Sequence, residues 1–297
     1  MRYLKGYYQD RRNTVEIISP LNSVIYLSLR IVPYGKNQRL FVARDVTRMQ
    51  NLIEIRKDFV ANVSHELRTP LTVLRGYLET MLKNKQYPEH WQPSLETMED
   101  QTTRMNDVIN DLLTISRLEE GRFVIKPETV IVPEMIRKIH EEAVALSAET
   151  IKGEKQHLFE ISIEPDLWIK GSSAEIYSAF SNLVFNAVRY TPEGGLIGIH
   201  WYSDEDGDAH MEIADNGIGI PPQHISRLTE RFYRVEQSRS RDNGGSGLGL
   251  SIVKHVLSRH KGTLYIESKL GEGSLFRCDF PKEIVVSKAS KGIDQSA

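Results

Sequence analysis

Two long stretches of the sequence place apolar residues at every third or fourth position, which is the spacing of an amphipathic helix. The first runs from about residue 46 to 83, and the second runs from about residue 95 to 118. The polar segment between them contains two prolines and predicts a loop, with Ser94 as the N-cap of the second helix. Gly121 stands where the second helix needs a glycine to end. The sequence therefore predicts a helical hairpin over residues 48–121.

A hairpin of two amphipathic helices cannot enclose its own apolar stripes. Pairing with a second copy of the chain would form a four-helix bundle, which buries both stripes. We therefore expect a homodimer. A partner element from the C-terminal part of the same chain is the alternative.

The first predicted helix carries the run Ser64-His65-Glu66-Leu67-Arg68-Thr69-Pro70. Because residues four apart lie on one helix face, His65 and Thr69 stand one above the other, and Glu66 is the carboxylate beside His65. Pro70 cannot donate a backbone hydrogen bond to the Glu66 carbonyl, so we expect a kink there. A nucleophilic ring, an acid–base partner and a hydroxyl are thus brought together. Taken alone, His65 is more simply explained as a surface histidine.

Two short motifs in the C-terminal part of the chain are suited to binding a nucleotide, although each taken alone could be structural: the asparagine pair as helix surface or helix caps, and the Asp-x-Gly run as an ordinary turn. Asn182 and Asn186 lie four apart on a predicted helix, so their amides face the same way, and an amide oxygen suits Mg²⁺ that already carries phosphate. Asp215 ends a predicted strand and can accept a hydrogen bond from an adenine amino group. Gly217 and Gly219 follow it and permit close approach of the backbone.

A glycine-rich run opens the last predicted helix, where backbone N–H groups bind phosphate well. Its candidate residues are Gly245, Gly247, Leu248 and Gly249. Residues 221–243, which include Phe232 and Arg234, are long and polar enough for a lid over phosphates. A solvated loop is the alternative. The sequence has no P-loop lysine pattern, so a P-loop kinase is not expected.

Residues 122–283 alternate strands and helices, which predicts an α+β fold with helices on one face of a mixed sheet. The predicted helices are 133–148, 174–190 and 248–260, and the predicted strands are 159–163, 196–202, 211–215, 263–267 and 275–280. Residues 1–47 show strand alternation at 24–31 and 40–44. Their end resembles the C-terminal part of a PAS-like sensory domain, and a short β-hairpin is the alternative. Residues 284–297 are predicted to be a flexible tail.

Composition excludes several classes of function. A net charge of −2 gives no bulk attraction to nucleic acid or anionic membrane. No apolar run approaches the ~20 residues that span a bilayer. The single cysteine, Cys278, cannot form an internal disulfide, which fits a reducing cytoplasm.

The motifs in their order along the chain resemble the two-component sensor histidine kinases over residues 45–283. The asparagine pair, the Asp-Gly-Gly motif and the glycine-rich run are similar to the ATP-binding domain that histidine kinases share with gyrase B, Hsp90 chaperones and MutL repair proteins. The His65 run on an upstream hairpin is specific to the kinases. The resemblance implies a dimerisation and phosphotransfer hairpin over 48–121 and an α/β-sandwich ATP-binding domain over 122–283.

The resemblance also implies ATP and Mg²⁺ as cofactors and a role for each residue of the nucleotide site. Asn186 would be the Mg²⁺ ligand, and Asp215 would read the adenine. Asn182 and Arg189 would lie near the phosphates, with Tyr190 beside the base.

For the hairpin, the resemblance implies that His65 accepts the γ-phosphoryl group and passes it to an aspartate of a response regulator. Glu66 would act as the base, and Thr69 would orient the water that dephosphorylates the regulator. The runs at 59–74 and 227–235 are similar to the phosphate-regulon subfamily, so the expected partner is a cytoplasmic response regulator of that regulon. Family members are anchored in the inner membrane by an N-terminal region, whereas this chain by itself is expected to be cytoplasmic.

Two other functions remain open at the level of the sequence. A signalling scaffold could bind nucleotide and regulator without transferring phosphate, although the complete His-Glu and asparagine pairs favour the kinase. An ATPase that gates dimer closure is disfavoured by the hairpin that carries His65.

Overall fold

The computed structural model describes residues 15–34, 38–83, 88–119, 127–150, 156–235 and 246–287. The chain divides into two compact units, Met1–His65 and Glu66–Ala297. Within the described ranges, no helix combines the length and the apolar character that crossing a membrane requires.

The first unit contains a three-stranded antiparallel sheet in the order β1-β2-β3. Its strands are β1 (Val15–Ser19), β2 (Asn22–Tyr34) and β3 (Gln38–Asp45). Helix α1 (Thr47–Lys83) follows β3 directly. The junction is fixed because the Tyr26 N–H donates to Thr47 Oγ1 at 2.9 Å and the Val46 N–H donates to the Tyr26 carbonyl, also at 2.9 Å. The predicted strands are present, and β1 is an additional one. Its identity as part of a PAS-like domain stays a prediction.

The predicted helical hairpin is present and consists of α1 and α2 (Gln92–Glu119), with a turn of 3₁₀ helix at Glu89–Trp91. Helix α1 continues through Pro70. The prediction of Ser94 as an N-cap is wrong, because α2 begins two residues earlier and Pro93 occupies its first turn. A proline is favourable there because the first N–H groups of a helix have no helical acceptor. Gly121 lies outside the described residues.

An α/β sandwich follows the hairpin. Its five-stranded mixed sheet has the order β5-β7-β8-β10-β9, in which β5 and β7 are parallel and the other neighbours are antiparallel. The strands are β5 (Leu158–Ile163), β7 (Leu196–Ser203), β8 (Ala209–Asp215), β9 (Thr263–Lys269) and β10 (Gly273–Phe280). The main helices are α3 (Val132–Thr150), α4 (Ser173–Tyr190) and α6 (Gly249–Arg259), and α5 (Pro222–Ile225) is a single turn. The predicted fold class is confirmed.

A second, small antiparallel sheet was not predicted. It consists of β4 (Glu128–Val130), β6 (Leu167–Gly171) and β11 (Val285–Ser287), in the order β11-β6-β4. Its strands have three to five residues, which is too short for periodicity to distinguish them from loops. The strand β11 also includes residues that were predicted to belong to a flexible tail.

The core of the sandwich centres on three aromatic side chains from α4, β7 and β10. Phe180, Trp201 and Phe280 are at most 1% exposed, and their ring centroids lie 6.0–6.2 Å apart. Aromatic pairs at this separation contribute stability beyond the area that they bury. This cluster fixes α4 against the sheet.

A buried histidine joins the end of α6 to the start of α4. His260 Nδ1–H donates to the Val256 carbonyl at 2.8 Å, and its Nε2 accepts the N–H of Ser172, the residue that precedes α4, at 3.0 Å. Because Nε2 is an acceptor, only the neutral ring supports this arrangement. Burial lowers the pKa of His260 below its ordinary 6.5.

We expect the free energy of unfolding of the protein to exceed that of a His260→Gln variant by less and less as the pH falls below 6.5. In that range the unfolded chain binds a proton that the folded chain excludes, so the folded state loses stability as the pH decreases. Urea unfolding at pH 7.5, 6.5 and 5.5 measures this difference in the free energy of unfolding. His90→Gln, at an exposed position, is the matched control and should show no such narrowing. A difference that does not change with pH would contradict the conclusion that the folded protein holds His260 as a neutral ring.

Candidate nucleotide site

One cavity of about 760 Å³ collects most of the residues that the sequence predicts to bind a nucleotide. It is formed by α4, the loop after β8, the start of α6 and one side of α2. The predicted residues that line it are Asn182, Asn186, Arg189, Tyr190, Asp215, Gly219, Arg234, Gly247 and Gly249. Its apolar wall was not predicted and includes Phe185, Ile218, Ile220, Leu250 and Phe276.

The carboxylate of Asp215 lies at the end of β8, at one side of the cavity. Asp215 Oδ1 accepts the N–H of Gly217 at 2.9 Å, which fixes the orientation of the carboxyl group. Burial raises the pKa of Asp215, while the N–H groups of Gly217 and Ser274 act in the opposite direction. Gly217 does not line the cavity, and it acts on the site through its backbone. The remaining acceptor capacity of Asp215 is available to a donor on a ligand.

The loop after Asp215 is attached to both of its neighbours. The Ile218 N–H donates to the Tyr190 carbonyl at 3.2 Å, and the Gly271 N–H donates to the Ile218 carbonyl at 2.8 Å. Gly219 has φ = 65°, and a Cβ there would overlap the Lys269 carbonyl oxygen. Only glycine satisfies both constraints. The loop is therefore held in one conformation between the end of α4 and the β9–β10 turn.

The two asparagines occupy successive turns of α4 and point towards the cavity, as the i, i+4 spacing predicts. Asn182 Nδ2–H donates to the Ser178 carbonyl at 2.8 Å, so its amide oxygen is directed towards the first residue of α6, Gly249. A Cβ on Gly249 would overlap Asn182 Oδ1. The two helices thus approach closely where the cavity meets the N-terminus of α6.

Asn186 fits a metal ion that brings ligands of its own. The described residues contain no group of three or more His, Cys, Asp or Glu side chains that could hold a metal. The amide oxygen of Asn186 is a hard, neutral ligand inside the cavity, which suits Mg²⁺ bound to phosphate oxygens.

Two predicted residues, Phe232 and Leu248, place their side chains outside this cavity. Phe232 is 57% exposed, has φ = 61°, and is connected to the glycine-rich run by its N–H, which donates to the Gly247 carbonyl at 2.9 Å. Leu248 is fully buried beneath the start of α6. Gly245 lies outside the described residues, as do residues 236–243 of the predicted lid.

One wall of the cavity comes from α2 and was missed by sequence reasoning. The α2 residues that line it are Asp100, Gln101, Thr103, Arg104, Asp107, Asn110 and Asp111. Ser246 Oγ–H donates to Asp111 Oδ2 at 2.6 Å, across 135 residues of sequence. In a sequence, polar residues on one face of a helix predict a solvent-exposed face. The contact between α2 and the start of α6 therefore becomes visible only in the fold.

The candidate phosphoacceptor residues lie on α1. The backbone of His65 is helical, and its side chain lies outside the described residues. Glu66 and Thr69 have exposed side chains on the same helix. Arg68 Nη2–H donates to Asn110 Oδ1 at 3.0 Å, which connects this part of α1 to α2.

Two family models match the chain and together cover more than half of it. Residues 55–121 match the His Kinase A (phospho-acceptor) domain, which includes the His65 run. Residues 171–284 match the histidine kinase-, DNA gyrase B- and HSP90-like ATPase, which includes the residues that line the cavity on α4, the β8 loop and α6. The chain belongs to the sensor histidine kinases.

Similar proteins within the sensor histidine kinases support this assignment. The chain is 49% identical over 279 residues (93% of its length) to the phosphate regulon sensor protein PhoR of Pseudomonas aeruginosa, and 39% identical over 271 residues (90%) to PhoR of Haemophilus influenzae. It spans only 62% and 61% of the lengths of these two relatives. Among solved structures, full-length ShkA in complex with AMPPNP has a TM-score of 0.60 at 23% identity, covering 77% of this chain and 46% of ShkA, and shows the same fold.

We expect Gly249→Ala to lower the free energy of unfolding by about 1–3 kcal/mol, because the new methyl group would overlap the Asn182 amide oxygen, whose amide is held by its hydrogen bond to the Ser178 carbonyl. The loss should shrink in an Asn182→Ala background, where the overlapping amide is gone. A double-mutant cycle measured by urea unfolding gives this coupling.

The matched control for Gly249 is Gly76→Ala on α1, where nothing lies within 4 Å of the added methyl group. That variant should be neutral or gain up to about 1 kcal/mol, as helix propensity predicts. Equal effects of Gly249→Ala with and without the Asn182 amide would show that the close approach is unimportant.

Proposed function

We propose that the chain is an ATP-dependent protein-histidine kinase that phosphorylates His65 and then transfers the phosphoryl group to an aspartate of a response regulator. The observation that carries this proposal is the single cavity in which the asparagine pair, Asp215 and the start of α6 meet. It lies in a chain whose hairpin also matches the phosphoacceptor family. A nucleotide-binding module alone would not need that hairpin.

The cavity suits an adenine nucleotide in one orientation. Asp215 would accept a hydrogen bond from the adenine amino group, with Tyr190 beside the base. The phosphates would then extend towards the first turn of α6, where backbone N–H groups and the helix dipole favour anions. Asn186 would hold Mg²⁺, which offsets phosphate charge when it is bound.

The chemistry at His65 follows from its neighbours. A neutral imidazole nitrogen is a nucleophile near neutral pH, and Glu66 can take up or orient the proton on the other ring nitrogen. A bond forms between the imidazole nitrogen and the γ-phosphorus, the bond from that phosphorus to the β-phosphate oxygen breaks, and ADP leaves. Positioning and electrostatics supply most of the acceleration in such transfers.

The partners are proposed from the resemblance to known kinases. Identities of 49% and 39% to two proteins named phosphate regulon sensor protein PhoR favour a cytoplasmic response regulator of the phosphate regulon. A homodimer is proposed because apolar side chains of both hairpin helices remain exposed, among them Val63, Leu74 and Met105. We also propose that the chain works on the cytoplasmic side of the inner membrane, as the cytoplasmic part of a membrane-anchored sensor.

The first test is to incubate the purified chain with γ-labelled Mg·ATP and to examine the label. We expect acid-labile, base-stable label that disappears in His65→Gln and persists in His90→Gln, because phosphohistidine has this stability and His65 is the proposed acceptor. Nucleotide binding without any label would favour the scaffold instead. Label that survives in His65→Gln would place the acceptor elsewhere.

We further propose that Thr69 orients the water that dephosphorylates the regulator, so Thr69→Ala should reduce this phosphatase rate at least about tenfold. Autophosphorylation should be retained, because the hydroxyl takes no part in it. Thr72→Ala is the matched control, since Thr72 is also exposed on α1 and its Oγ1–H donates to the Arg68 carbonyl. A phosphatase rate that is equal in Thr69→Ala and the protein would exclude this role.

A further inference from the structure

A carboxylate of α2 accepts a hydrogen bond from Ser246, which lies just before the start of α6, where the phosphates are proposed to bind. Asp111 Oδ2 accepts the hydroxyl hydrogen of Ser246 at 2.6 Å, and Ser246 Oγ accepts the N–H of Leu248 at 3.1 Å. Helix α6 begins at the next residue, Gly249. Asp111 is therefore one hydroxyl group away from the backbone N–H groups that would bind phosphate. In this arrangement it faces the part of the cavity where a terminal phosphate would lie.

A second carboxylate adds negative charge to the same wall. Asp107 lies one turn before Asp111 on α2 and also lines the cavity. Burial is the main cause that raises the pKa of each of these carboxyl groups, and the positive charge of Arg189 acts against it. The proximity of Asp107 raises the pKa of Asp111 further. The guanidinium of Arg189, which is proposed to lie near phosphate, thus interacts with two carboxyl groups of α2.

The bond between Asp111 and Ser246 belongs to a larger contact. Ile115 and Leu118 of α2 are buried in the same hydrophobic core as Leu248 and Ile252. At the end of α2, Glu119 forms an ion pair with Arg231. Apolar burial, a hydrogen bond and an ion pair therefore hold this side of α2 against the nucleotide-binding part. We call this arrangement, in which α2 is packed against the start of α6 by all of these contacts, the docked state.

We propose that the acidic face of α2, Asp107 and Asp111, makes this docked state selective for ADP over ATP. This inference rests on the proposed nucleotide function. ADP ends at its β-phosphate and is compatible with the contact between Asp111 and Ser246. The additional phosphate of ATP brings negative charge against Asp111 in a partly dehydrated cavity, where like charges repel strongly. ATP binding therefore has to displace α2 from Ser246, and the loss of the γ-phosphate allows α2 to return.

The test compares two nucleotides on the full chain. The affinities for Mg·AMPPNP and Mg·ADP are measured by isothermal titration calorimetry for the protein, Asp111→Asn and the Asp107→Asn/Asp111→Asn variant. We expect AMPPNP to bind about fivefold or more tightly to the double variant, while the affinity for ADP changes by less than about twofold. Asp111→Asn should give part of this gain. Asp111→Glu, which keeps the charge, should leave the preference for ADP in place.

Glu96→Gln is the matched control, because it removes one carboxylate from the same helix outside the cavity, and it should change neither affinity. Thermal unfolding is measured for each variant to test that it is folded. Equal gains for both nucleotides, or no gain for AMPPNP, would overturn the inference while leaving nucleotide binding intact. If the unmodified chain binds neither nucleotide, the proposed function fails, and this inference fails with it.

Discussion

The close contact between α4 and α6 is the interaction on which the rest of the nucleotide site depends. At one end, Asn182 Oδ1 lies so close to the backbone of Gly249 that a Cβ there would overlap it. At the other end, His260 receives the N–H of Ser172. These two contacts fix the separation and the direction of the helices. Consequently, Asn186 on α4 and the first residues of α6 face one cavity.

The sheet supplies the opposite side of the site through the end of one strand. Asp215 is paired with Ser274 of β10, and both residues lie where the strands reach the cavity. Gly273, with φ = 118°, permits the β10 backbone to approach the Asp215 carbonyl, which a Cβ would overlap. The carboxylate is thereby held half-buried with fixed hydrogen bonds. A rigid acceptor loses little conformational freedom when a ligand binds, which favours selective recognition.

The sequence predicted the parts of the site that depend on local spacing, and it missed the parts that depend on tertiary contact. Asn182 and Asn186 follow from helix periodicity, and Asp215 follows from its place at the end of a strand. The wall formed by Asp107 and Asp111 could not be predicted, because polar residues at helical spacing indicate an exposed face unless the fold covers them. The small second sheet was missed for a related reason, since its short strands become strands only by pairing with segments distant in the sequence.

Helix α2 is the physical connection between the phosphoacceptor helix and the nucleotide cavity. Asn110 accepts a hydrogen bond from Arg68, three residues after His65, while the next residue, Asp111, accepts one from Ser246. Adjacent residues on a helix point about 100° apart, so these two contacts use different faces of α2 at the same height. A rotation or shift of α2 that changes one contact would therefore also act on the other. If nucleotide charge moves α2 away from Ser246, the change reaches α1 beside His65 directly through Asn110 and Arg68.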